Sequence, residues 1–187
     1  MIHHRMKIAA AGIAAATVAV ALVAVPGLAN HTTAGLFAPD PRALGTFDSL
    51  NVKAERAGKW DLMLKAKGLT DVRVTEVHFA PGASSGWHSH PGPNLLIAIE
   101  GEVVEYDGEN PLCTGNTLTA APASSTNPPV RTGETFGDEG GSHVHLVKNL
   151  STTQPATVMA IAFYPHGVRP LTTPRTAPSN CATLGIH

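Results

Sequence analysis

From Trp60 onward the apolar residues fall at every second position in short runs, each closed by glycine or proline. No stretch keeps a 3.6-residue period over three turns. Residues two apart share one side of a strand, so this pattern prescribes half-buried β-strands and leaves little room for helices. Trp60, Leu62 and Leu64 mark one strand, and Val72, Val74, Val77 and Phe79 mark another that ends at Pro81-Gly82. Residues 94–99 end at Gly101 and residues 103–106 end at Asp107-Gly108, so this pair of runs reads as a hairpin. Residues 144–147 and 157–164 are again strand-like, whereas 120–129, rich in Pro, Ser and Ala, read as loop. Many short strands with Gly/Pro turns predict an all-β sandwich or closed barrel.

The N-terminus obeys other rules. Arg5 and Lys7 precede an apolar run at 8–25, Pro26 breaks it, and Gly27-Leu28-Ala29 presents small residues at a cleavage site. This is the layout of a secretory signal cleaved after Ala29, which makes Asn30 the mature N-terminus and the protein secreted or periplasmic. A retained membrane anchor is the competing reading, since 18 residues sit at the lower edge of a spanning helix. The expected organisation is a signal peptide (1–29), an N-terminal arm (30–58) with a short strand near Leu50, a barrel (59–165) and a C-terminal tail (166–187). Cys113 and Cys181 are the two cysteines. In an exported protein an even pair reads as one disulfide, here tying the tail back onto the domain.

Charged residues make up 14% of the chain and the net charge is −1. No basic field exists to hold a polyanion, which excludes nucleic acid as the expected partner. Ser84-Ser85 sit in a Gly-bounded turn between Gly82 and Gly86, and no P-loop or Gly-rich dinucleotide fingerprint occurs.

The histidines carry the chemistry. In His88-Ser89-His90 a strand puts both rings on one face, where two imidazoles can converge on one ion. The surrounding spacing is Gly82, five residues, His88, one residue, His90, three residues, Asn94, six residues, Gly101. This segment resembles the first motif of the cupin family, with Asn94 standing where that motif has Glu. His145-Leu146-Val147-Lys148-Asn149 is similar to the end of the second motif, and Gly133 to Gly141 to its earlier part, without the motif's Pro and with one extra residue. The placement of Cys113 and of Asn180-Cys181 is similar to that in small exported monocupins. The resemblance covers roughly residues 60–165 and implies a double-stranded β-helix, a small jelly-roll barrel.

It also implies a metal site made by His88, His90 and His145, with His143, two residues away on the same strand face, as the rival to His145. Three neutral imidazoles suit Fe, Zn, Ni, Cu or Co, and the loss of the carboxylate disfavours Mn. Cysteine-dioxygenase-like cupins are a precedent for three His without Glu. Asn94 is expected beside the ion, hydrogen-bonding a water or substrate without being a full ligand. His78 is a candidate for the pocket and Glu100 for a partner behind the ligands. Glu102 and Glu105 read as solvated strand residues, Trp87 as core, His166 as part of a solvated turn, and His31 and His187 as terminal.

Two functions follow. One is a metal-dependent oxygenase or isomerase acting on a small polar molecule that chelates the ion, with His78, Glu100 or His143 as the available acid or base. The other is a non-catalytic module holding a metal or a small ligand. The partner in either case is a small molecule, and a homodimer stays open.

Overall fold

The computed structural model describes residues 37–56, 58–114 and 130–186. The signal segment, the cleavage site, His31, the whole loop at 120–129 and His187 lie outside the described residues. Within them, strands β1 (Phe37–Phe47), β2 (Leu50–Arg56), β3 (Trp60–Ala66), β4 (Thr70–Phe79), β5 (His88–Ser89) and β6 (Asn94–Glu100) come first. They are followed by β7 (Glu102–Asp107), β8 (Val130–Arg131), β9 (Thr135–Asp138), β10 (His145–Lys148), β11 (Ala156–Pro165), β12 (Thr173–Pro174) and one short helix, α1 (Ser179–Ala182).

Two five-stranded sheets are formed, in the orders β1-β4-β11-β6-β9 and β12-β5-β10-β7-β8. From β4 to β12 every connection except β7 to β8 passes from one sheet to the other. That winding is a jelly roll, and it corrects the hairpin expected from residues 94–106. β6 and β7 belong to different sheets. Gly101, at φ 65°, turns the chain between them, where a Cβ would run into the backbone of Pro155 and Ala156.

Two boundaries also differ from expectation. Part of the expected arm is β1, an edge strand paired with β4 along its length. Pro39 and Pro41 obscure it in the sequence, yet proline is admissible on an edge, where the missing N–H faces no partner. Conversely β3, expected inside the barrel, pairs only with β2 in a separate two-stranded sheet. Its Trp60 is 54% exposed.

Phe79, Leu96, Ala98, Val103, Phe136 and Val158 pack together as the main buried hydrophobic cluster. Trp87, Leu146 and the Cys113–Cys181 disulfide form a second cluster that includes the C-terminal tail. The Cα atoms of the bridge are 5.2 Å apart. The tail is thereby held against the sheet that carries β5 and β10.

Candidate metal centre

Parity decides what faces inward. On β4, Arg73, Thr75, Val77 and Phe79 line an internal cavity of about 240 Å³. Across the ladder stand Ala162, Ala160 and Val158, in register with Arg73, Thr75 and Val77. The two alanines are short, so the barrel is left open where a larger residue would fill it. His78 has the opposite parity and does not line the cavity. Its Nδ1 lies 3.3 Å from Thr157 Oγ1 and its Nε2 3.7 Å from Glu76, on the outer side of the sheet. The expectation of His78 in the pocket is therefore corrected. Glu100 is likewise remote from the three rings and accepts from Thr157 Oγ1 at 3.0 Å.

His88 and His145 are direct cross-strand partners on β5 and β10, and His90 follows just past the end of β5. Nε2 of His88 lies 3.0 Å from Nε2 of both His90 and His145. Each ring has its other nitrogen engaged. Nδ1 of His88 donates to Gly86 O at 2.8 Å, Nδ1 of His90 to Leu171 O at 2.9 Å, and Nδ1 of His145 to Glu105 Oε1 at 3.0 Å. Carbonyl and carboxylate oxygens only accept, so all three Nδ1 atoms carry the proton and the converging Nε2 atoms present lone pairs. Burial, and then the neighbouring rings, hold His88 well below the usual imidazole range, and His90 is lowered for the same reasons. Rings tied at Nδ1, with their Nε2 atoms aimed at one point, are the donor set of a divalent metal.

Glu105 is the residue that the sequence hid. It is buried, it orients His145, and its Oε2 is shielded from solvent without a hydrogen-bond donor. Burial raises its pKa, opposed by the bond from His145. Val103-Val104 ahead of it are both apolar, so alternation does not reveal which parity faces inward. Only the pairing of β7 with β10, with Glu105 opposite Val147 and Asp107 opposite His145, brings these acids beside the histidines.

His143 is no substitute for His145. Its Nδ1 bonds Asp138 Oδ1 at 2.9 Å and its Nε2 bonds Asp107 Oδ1 at 3.0 Å. These two hydrogen bonds raise its pKa to about 10 against the opposing effect of burial, which leaves a charged ring with no lone pair to offer. Burial pushes the Asp138 and Asp107 carboxyls up, but the bonds from His143 prevail and both lie below the ordinary carboxylate value.

Asn94 reaches the cavity wall as expected from its position. Its Nδ2 donates to Asp138 Oδ2 at 2.9 Å and its Oδ1 accepts from Tyr164 OH at 2.8 Å. Tyr164 stands over His90 with ring centroids 6.1 Å apart. The closing Asn149 of the second motif is structural. It is fully buried, donates from Nδ2 to Gln154 O at 2.8 Å, and accepts from the Ser151 N–H at 2.9 Å.

Two sheets wound alternately, with a histidine pair across β5 and β10 at one end, settle the architecture. The chain has the cupin fold. No family model matches it, and no curated protein does. Among solved structures it is similar to a protein with a double-stranded β-helix domain from Klebsiella pneumoniae (15% identity, 68% of this chain and 86% of that one, TM-score 0.40). A cupin superfamily protein from Desulfitobacterium hafniense aligns at 11% identity over 62% and 77% of the chains, TM-score 0.36. Peruvianin-I, a cysteine peptidase from Thevetia peruviana latex, aligns at 21% identity with TM-score 0.36, and the chain spans about half (49%) of its length. Likenesses at this level say nothing of activity.

Proposed function

We propose that this cupin is an exported metal-dependent protein in which His88, His90 and His145 hold one divalent transition ion at the cavity floor. We also propose that it acts there on a small molecule as an oxygenase or isomerase. The convergence of three Nε2 lone pairs, each ring oriented through Nδ1, carries this reading. Such an ion supplies Lewis acidity toward a chelating head group.

The cavity narrows the substrate. Val77, Leu96, Phe136, Ala160 and Ala162 make most of its wall apolar, so the ligand has a hydrocarbon body and one donor head, rather than polar groups throughout. Arg73, also in the wall, places a positive charge where an anionic head would pair with it. Tyr164 is held protonated by burial, with a pKa of about 12, and its hydroxyl proton goes to Asn94. Among the described residues no carboxylate lines the cavity. That observation favours the second reading, a binding module without turnover, because general acid–base work needs a group within reach of the ligand.

The discriminating experiment is metal analysis of native protein, then exposure of the metal-loaded protein to small carboxylic acids with aliphatic or aromatic bodies. Turnover, followed by oxygen uptake or product analysis, supports the enzyme. Saturable binding without turnover supports the module. A protein that takes up no divalent ion contradicts the metal site and the enzyme, and leaves only a module for a small ligand.

Export rests on the pattern at 1–29 together with the Cys113–Cys181 bridge. Protein recovered from culture medium should have an intact mass lacking residues 1–29; a membrane-bound product that retains them contradicts it. No helix of the described residues is long and apolar enough to cross a membrane.

A further inference from the structure

Asn94 takes the carboxylate position of the first motif, yet a carboxylate lies directly across the ladder from it. Asn94 on β6 and Asp138 on β9 are register partners, joined by the bond from Nδ2 to Oδ2 at 2.9 Å. We propose that Asp138 supplies the negative charge of the three-histidine site, so that the carboxylate lost from β6 is provided by β9.

Four observations support this assignment, which rests on the metal reading above. Asp138 is wholly buried, and its Oδ2 lies 4.0 Å from His90 Nε2. Its Oδ1 is saturated by the Gly140 N–H and by His143, each at 2.9 Å, whereas Oδ2 accepts only from Asn94 and keeps a lone pair. The Tyr164 hydroxyl, by donating to Asn94 Oδ1, fixes the amide with its nitrogen toward Asp138. A further turn of backbone secures the contact: a Cβ on Gly140 would run into the backbone of Gly92, so only glycine lets the chain after β9 approach the His90 loop.

The test is a Zn(II) titration of the full chain against a chromogenic chelator, in wild type, in Asp138→Asn and in the exchanged variant Asn94→Asp/Asp138→Asn. Wild type should bind one ion, and Asp138→Asn should weaken binding about 10- to 100-fold. The exchange returns a carboxylate to the same pair without restoring the anionic partner of His143, and it should recover most of the loss. Equal affinity in wild type and Asp138→Asn overturns the inference while leaving the three-histidine reading intact. An exchanged variant no better than Asp138→Asn also overturns it, since Asp138 would then serve only to hold His143. Should Asp138→Asn fail to fold, the exchanged variant decides alone, support requiring affinity within about 10-fold of wild type. Absence of Zn(II) binding in wild type refutes the metal reading, and this inference with it.

Discussion

His145 opens β10 and His143 lies two residues before it, each beside a carboxylate of β7, and they do opposite things. His145 has one nitrogen on Glu105 and one turned to His88; His143 has both nitrogens on carboxylates, Asp107 and Asp138. The same side chain turns a nitrogen toward two other rings' meeting point in one place and is a buried cation in the other. What separates them is the second partner, since an imidazole between two acceptors must carry two protons. A histidine in a metal motif is thus defined less by its spacing than by what occupies its far nitrogen.

The contrast is broken most severely at the cation. Replacing His143 with Asn leaves Asp107 and Asp138 facing each other without the charge between them, and should cost about 3–5 kcal/mol in denaturant unfolding. Next comes the lone-pair donor. His88→Ala should weaken divalent metal binding by more than about 100-fold in a chelator competition, a larger loss than for an orienting residue, with the fold retained. A His88→Ala protein that binds as wild type would refute its role as a ligand.

Glu105→Gln sharpens the comparison, because Gln keeps an acceptor for His145 Nδ1 but removes the charge. Metal affinity should fall about 10-fold, and the titration should still give one ion per chain.

Acid and base should also act oppositely on the two regions. His88 and His90 are lowered in the folded protein, so below the ordinary imidazole value of 6.5 the unfolded chain takes up protons that the folded chain does not. The metal-free protein should therefore lose stability as pH falls through 6.5. His143 is raised, so its contribution is whole below pH 6.5 and is lost as pH rises toward about 10. Unfolding midpoints of metal-free protein across this range, with His143→Asn as control, should show the alkaline loss only in wild type. The smallest effect belongs to His78, on the outer face: His78→Ala should change stability by no more than about 0.5 kcal/mol and leave metal binding unaltered.

Much of this was legible before any coordinates. Period-two runs between Gly and Pro revealed the strands, and the spacing around His88-Ser89-His90 singled out the rings that converge. Other features depended on pairing, which no single run reports. Asp138 meets Asn94 only through the β6–β9 register, and Glu105 meets His145 only because β7 lies beside β10. Pro39 and Pro41 concealed β1 because their tolerance depends on the strand lying at an edge. Trp60, Leu62 and Leu64 alternate faithfully, yet alternation shows that a strand has an apolar face and not which body covers it.

The central claim is that His88, His90 and His145 hold one divalent ion, and anomalous diffraction from crystals of the Zn(II)-loaded protein tests it most directly. The account predicts one strong peak at about 2.1 Å from the Nε2 atom of all three histidines. A map with no peak there, or with the ion instead among Asp40, Glu76 and His78 on the outer face, would contradict it.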